Sequence, residues 1–236
     1  MLTKIKYISF KYKNIDFKVA YNYEDNSGLG AIIEIVERNE YYLDKFIDCE
    51  NKIFIDIGAN IGIATIIMAK LNPLSTIYAF EPYELTYGIL DFNIKLNNLN
   101  NVKIYKLAMS DQNTKQLKLT INDKMTGANS TYADNSLFSK MYSIDVEKFQ
   151  IVDSISLDDF LTNNNIDEVE LMKIDCEGAE YDIIYSSELF KNNIVKNIVG
   201  EFHDLNYNIV SNKGSELYEY CKKYVSGILE VKILVA

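Results

Sequence analysis

The stretch KIFIDIGANIGIATIIMAKL, residues 52 to 71, decides how the chain folds. Its first part, KIFIDIG, is a short β-branched apolar run that ends in glycine, the pattern of a buried strand. Its second part, Ile61 to Leu71, is apolar over a helical length and closes at Asn72-Pro73, which cannot continue a helix. A buried strand, a tight glycine turn and a helix in that order are the beginning of an α/β sheet.

Outward from this stretch the same alternation continues. STIYAFE reads as a strand, Tyr83 to Leu96 as a helix, NVKIYKLAM as a third strand, and QLKLTIN as a fourth expected to pair antiparallel with a neighbour. Residues 123 to 150 are polar and short-periodic, an insertion or flexible loop. ISLDDFLTNN (155 to 164) starts a short helix after a strand, VELMKID and NIVGEFH are two strands separated by a helix, and SELYEYCKKY followed by ILEVKILVA is helix then strand. Upstream, MLTKIKYISFKYKNIDFKVA alternates apolar and polar residues as a β-hairpin turning near Lys13-Asn14, and Leu29 to Ile47 reads as one or two helices. The expectation is a Rossmann-like, mostly parallel, doubly wound sheet. Two prolines, ten glycines and no repeat leave no visible linker, so residues 51–236 read as one compact unit carrying a 1–50 hairpin and helical extension.

A net charge of −10 and a pI near 4.7 argue against nucleic acid or anionic lipid as a partner and favour a neutral or cationic ligand. Cys49, Cys176 and Cys221 are far apart and odd in number, with no C-x-x-C spacing, so a reducing compartment is expected. The first residues lack the apolar core of a signal peptide, and no run approaches the ~18 to 20 apolar residues of a membrane span, so the expectation is a cytoplasmic protein without membrane insertion. The eighteen tyrosines accompany many Asn, Ile and Lys residues, the profile of an AT-rich genome, and do not argue for a glycan ligand. Oligomeric state is not readable.

In open parallel sheets ligands sit beyond the carboxyl ends of the strands. Asp56-Ile57-Gly58-Ala59-Asn60-Ile61-Gly62 stands at the first such end. It departs from the dinucleotide pattern G-x-G-x-x-G, and its leading carboxylate would repel a diphosphate while suiting the ammonium of S-adenosylmethionine. Glu81 ends the second strand, where an acid accepts hydrogen bonds from ribose hydroxyls. The plainer reading gives Gly58 and Gly62 only a tight turn, and makes Glu81 the cap of a helix with Pro82 at its first position. Ser110-Asp111, past the third strand, would lie near an adenine, or form an ordinary turn.

FIDIGANIG, FEP, LAMSD, SISLDDFL and LMKIDCEGAE together resemble the FkbM-type family of S-adenosylmethionine-dependent methyltransferases over Ile53 to His203. The D-x-G-A-N-x-G turn is shared by many methyltransferases, whereas LDDFL with KIDCEGAE is more particular to this family. The resemblance implies a class I methyltransferase fold, S-adenosylmethionine as donor, and O-methylation of a sugar, glycan or natural-product hydroxyl. It carries over Asp56, Gly58, Asn60, Gly62 and Glu81 as cofactor contacts, with Ser110 and Asp111 on the adenine side. TGANST (126 to 131) resembles the family's glycine and serine loop, placing Asn129 and Ser130 near the donor methyl or the acceptor.

A hydroxyl is a poor nucleophile at neutral pH, so a general base or a divalent cation is expected beside it. Neighbouring parallel strands would bring Asp175, Glu201 and His203 to one rim. One reading makes Asp175 and Glu201 ligands of Mg²⁺ or Mn²⁺, with His203 as base or ligand, by analogy with metal-assisted O-methyltransferases. The metal-free reading has Asp175 contact the cofactor ammonium or the acceptor, with Glu177 on the substrate side and His203 as general base. Glu180 and Asp182 are assigned to the first turns of the following helix, where negative charge suits the dipole. His203, the lone histidine, could equally be a satisfied rim residue. Two other functions share these features: an NAD-dependent sugar oxidoreductase, and a non-catalytic binding module of a glycan-synthesis complex.

Overall fold

A computed structural model of the protein describes residues 4–132, 145–204 and 213–235. The chain begins with antiparallel strands β1 (Ile5–Tyr12) and β2 (Ile15–Asn22), joined by Lys13 and Asn14 at φ 48° and 65°. Two successive left-handed residues match the twist of a two-residue hairpin. A helix, Ser27–Ile32, runs directly into a π-type turn at Ile33–Glu37, and Leu43–Lys45 adds one 3₁₀ turn.

The later strands are β3 (Ile53–Ile57), β4 (Thr76–Phe80), β5 (Val102–Tyr105), β6 (Ala108–Ser110), β7 (Gln116–Thr120), β8 (Phe149–Ser156), β9 (Leu171–Ile174), β10 (Ile198–Asp204) and β11 (Leu229–Val235). Six of them form the main sheet in the order β11-β10-β9-β3-β4-β5, every pairing parallel. Because alternate side chains leave opposite faces, Phe54, Ile77 and Leu171 enter one core while Ile55, Tyr78 and Met172 enter the other. The first core is closed by the helix Ile63–Leu71 and by the hairpin, through Phe17 and Val19. Helices Leu157–Asn163, Glu180–Ser186 and Lys213–Cys221 close the second.

NVKIYKLAM, expected as one strand, is two. β5 ends at Tyr105, and after Lys106-Leu107 the chain leaves the main sheet as β6, which pairs with β8 in a separate sheet ordered β6-β8-β7. Among the described residues the main sheet ends at β5, and β6 takes its backbone partners from β8. QLKLTIN supplies β7, antiparallel to β8. Of the stretch expected as a loop, residues 133–144 lie outside the described residues; Thr126–Ala128 forms a 3₁₀ turn and Phe149-Gln150 already belongs to β8. Among the described residues no helix is long and apolar enough to cross a membrane.

The hairpin is attached by asparagine amides on the helix Glu84–Leu96. Asn93, fully buried, accepts from Ala20 N (2.7 Å) and donates to Ala20 O (3.0 Å) and to Ile61 O (2.8 Å). One turn on, Asn97 donates to Lys18 O at 2.7 Å. These amides pair with the edge of β2 as a further strand would. Replacing Asn93 by alanine leaves the Ala20 amide and two carbonyls without buried partners, which costs about 2–4 kcal/mol; chemical denaturation should register that loss.

Candidate active site

The sheet order reverses between β3 and β9, since β4 and β5 follow β3 on one side while β10 and β11 follow β9 on the other. Strand ends splay apart at such a point and leave a crevice beyond their carboxyl ends. β3 enters it through the glycine turn, with Gly58 at φ 76°, Asn60 at 50° and Gly62 at 90°. A Cβ on Gly58 would stand 1.8 Å from the Asp175 carbonyl oxygen, so no side chain fits where β3 and β9 come together. Asn60 tolerates the left-handed conformation because its Oδ1 accepts from Ile61 N at 2.7 Å. Glu81, at the end of β4, accepts from Asn60 N (2.8 Å), Tyr83 N (2.9 Å) and the Thr86 hydroxyl (2.8 Å). Burial pushes its carboxyl up, and those hydrogen bonds oppose the shift.

Below the turn lies a buried charge cluster. Lys173 Nζ, on β9, donates to Gly58 O at 2.7 Å and stands 3.3 Å from Asp56 Oδ1 and 3.7 Å from Asp175 Oδ2. Burial works against the Lys173 charge, but the carboxylates of Asp56 and Asp175 more than offset it, and the ammonium titrates above its ordinary range. Asp56 is completely buried and its other oxygen accepts from the Thr65 hydroxyl at 2.5 Å. Asp56, expected as a direct cofactor contact, therefore faces Thr65 and Lys173.

Acids crowd around His203 at the ends of β9 and β10. Its Nε2 lies 3.5 Å from Glu177 Oε2, 3.6 Å from Glu201 Oε2 and 3.9 Å from Asp175 Oδ1, and its Nδ1 lies 3.0 Å from Glu180 Oε1. Burial alone would lower the imidazole pKa; Glu177, Glu180 and Asp175 overcome it and raise it well above the usual value. That upward shift favours the imidazolium and weighs against His203 as the general base. Asp175 is half-buried, and burial works against its charge, yet Lys173, His203 and the Tyr41 hydroxyl, which donates at 2.6 Å, hold its carboxyl below the usual range. Burial drives Glu177 up to about 8, with Asp175, Glu180 and Glu201 adding to it against the pull of His203. Burial and Asp175 drive Glu201 up to about 7. Three neighbouring carboxyls are thereby separated into one firm anion and two groups that exchange protons near neutrality.

Gly58, Asn60, Glu81, Asn129, Asp175 and Glu177 line one cavity, together with Phe80, Leu107, Met109, Leu119 and Ala179. Asp56, Gly62, Ser110, Asp111, Ser130, Glu201 and His203 stand outside that lining. Ser110 is buried in β6, and Asp111 closes a turn by accepting from Asn113 N (2.9 Å) and Thr114 N (2.7 Å). Ser130 donates to Glu177 O at 2.6 Å, which supports Glu177 at its positive φ of 54°. Glu180, read from the sequence as dressing for a helix, is fully buried and accepts from Cys176 N (3.0 Å) while facing His203. Tyr41, from the N-terminal extension, was invisible because nothing local ties it to a residue so distant in sequence. Among the described residues, Asp175, Glu177 and His203 each bring a ligand atom within 4.8 Å of the others, a grouping that could hold a cation once His203 gives up its proton.

A doubly wound parallel sheet whose switch point joins this glycine turn to a carboxyl-lined cavity defines the Rossmann-like, class I methyltransferase fold. Residues 56–225 match the methyltransferase FkbM domain, and the chain belongs to that family. It is 30% identical to Methyltransferase 1 of Beauveria bassiana over 187 residues, covering 73% of this chain and 74% of that one. It is 27% identical to Methyltransferase sdnD of Sordaria araneosa over 172 residues, 64% of this chain and 66% of that one. Among solved structures, the precorrin-6y C5,15-methyltransferase of Geobacter metallireducens aligns over 79% of this chain and 70% of its own, at 15% identity and a TM-score of 0.42.

The Lys173 cluster carries its own test. Methionine at this position keeps the length of the side chain but strands Asp56 as a buried, unpaired carboxylate, so Lys173→Met should lose about 3–5 kcal/mol in denaturant unfolding.

Proposed function

We propose that the protein is an S-adenosylmethionine-dependent O-methyltransferase whose acceptor is a hydroxyl of a sugar, glycan or natural product. The observation that supports it best is the composition of the cavity. Phe80, Leu107, Met109 and Leu119 give it an apolar wall, Glu81 retains acceptor capacity beyond its three hydrogen bonds, and Asp175 and Glu177 supply negative charge. A ligand with a purine, ribose hydroxyls and a cationic amino-acid end fits that set. Among the described residues no lysine or arginine lines the cavity, which disfavours a diphosphate and hence NAD.

When bound, S-adenosylmethionine supplies an electrophilic methyl group. Gly58 and Asn60 would hold the turn beside it, and Glu81 would accept hydrogen bonds from its ribose hydroxyls. Asp175, fixed by Tyr41 and Lys173, orients the acceptor hydroxyl. Glu177, which lines the cavity and titrates at about 8, would take the hydroxyl proton as the methyl group leaves the sulfonium sulfur for the acceptor oxygen, with S-adenosylhomocysteine as the leaving group. The imidazolium of His203 stabilises the carboxylates of Glu177 and Glu201 whichever of them is charged.

Calorimetric titration with S-adenosylhomocysteine should give saturable heat and raise the unfolding midpoint, while NAD gives neither. No response to S-adenosylhomocysteine would sink the proposal, and protection by NAD alone would select the oxidoreductase. Binding without turnover on any hydroxylated acceptor would favour the non-catalytic module.

With an acceptor in hand, turnover should rise with pH between about 6 and 9 as Glu201 and Glu177 lose their protons, since the base must be ionised. Glu177→Gln should lower kcat by roughly 10²–10⁴ while S-adenosylhomocysteine still binds. The proximity of Asp175, Glu177 and His203 supports a second reading, a divalent cation held by those three. Chelation that abolishes turnover, with recovery on adding Mg²⁺ or Mn²⁺, would select it.

A further inference from the structure

Asp25, Asn26 and Ser27 precede the FkbM domain match, which begins at residue 56. They nevertheless hold one wall of the cavity. Asp25 is 5% exposed, and its carboxylate accepts three hydrogen bonds: Ser27 N at 3.0 Å, Thr126 N at 3.1 Å and the Thr126 hydroxyl at 2.5 Å. Ser27 Oγ accepts from Gly127 N at 2.8 Å, and Asn26 N donates to Lys124 O at 3.0 Å. Thr126 and Gly127 both line the cavity.

The loop they hold is placed tightly. A Cβ on Gly127 would meet Ser27 Oγ at 3.2 Å and Asn60 Nδ2 at 3.8 Å, so Gly127 lies between the N-terminal segment and the glycine turn. At its other end the loop is tied to the acid turn through Ser130 and Glu177 O. Both hydrogen-bonding groups that Thr126 directs at Asp25 are engaged by the two oxygens of one buried carboxyl.

We infer that Asp25, with Ser27, is a positioning residue for donor binding: it fixes Thr126-Gly127 as the wall that closes the cavity against the glycine turn. The N-terminal segment is therefore part of the donor site. This rests on the donor reading proposed above. Pre-organisation of the loop lowers the entropy lost on binding, so its loss weakens affinity without removing any direct donor contact.

The test is calorimetry with S-adenosylhomocysteine on the full chain, alongside the unfolding midpoint of each ligand-free protein. Thr126→Val and Asp25→Ala should each weaken binding about tenfold, and Ser27→Ala a few-fold. Thr126→Ser, which keeps the hydroxyl, should bind within about twofold of the natural protein, and the Asp25→Ala, Thr126→Val pair should be no worse than the weaker single variant. If Asp25→Ala fails to fold, the Thr126 pair decides the matter. Wild-type binding with Thr126→Val within twofold of it would overturn this inference alone, as would affinity losses that follow the fall in midpoint and are not restored by serine. No binding by the wild type would overturn the donor reading with it.

Discussion

A single ammonium ties the molecule together at the place where its chemistry is expected. Lys173 Nζ is buried beside the carboxylates of Asp56 and Asp175 and hydrogen-bonded to the Gly58 carbonyl, so it joins the end of β3, the glycine turn and the end of β9. Two carboxylates without it would repel each other in a medium that cannot solvate them. With it, Asp175 is held as an anion, and that anion raises the proton affinity of Glu177 and Glu201. Burial supplies most of that rise, and the anion fixed by Lys173 adds to it.

The N-terminal extension belongs to this construction. Its hairpin buries Phe17 and Val19 in the core shared with β3 and β4, and Asn93 and Asn97 complete the hydrogen bonding of β2. Its later residues reach the rim, where Tyr41 bonds Asp175. Elsewhere Asn72 accepts from Cys49 N and donates to Phe46 O, and Asn101 donates to three carbonyls around Asn72-Ser75. The many asparagines, whatever set their number in the genome, are used here to satisfy backbone groups where helices meet loops.

Much of this was legible before any coordinates. Phe54, Ile55 and Ile57 are apolar because β3 is covered on both faces, as interior strands of a parallel sheet are, and Asp56 is the one acid among them. Gly58 and Glu81 were legible because turn geometry and strand ends restrict residue type locally. The break between Tyr105 and Ala108 was not, since which strand pairs with β6 is settled by β8, far along the chain. Glu180 does stand in the first turn of its helix as expected, but its complete burial beside His203 was not legible, because at a helix start an acid looks explained already. The pairing of Lys173 with Asp56 was not legible, because it depends on strands adjacent in space and distant in sequence.

The central claim is that the crevice between β3 and β9 is a donor site whose reactive end opens toward Asp175 and Glu177. The most direct test is a crystal structure with S-adenosylhomocysteine. The account predicts ribose hydroxyls on Glu81, the purine against Met109, and the sulfur turned toward Glu177. A ligand with its sulfur directed away from Asp175 and Glu177, or seated outside this crevice, would contradict it.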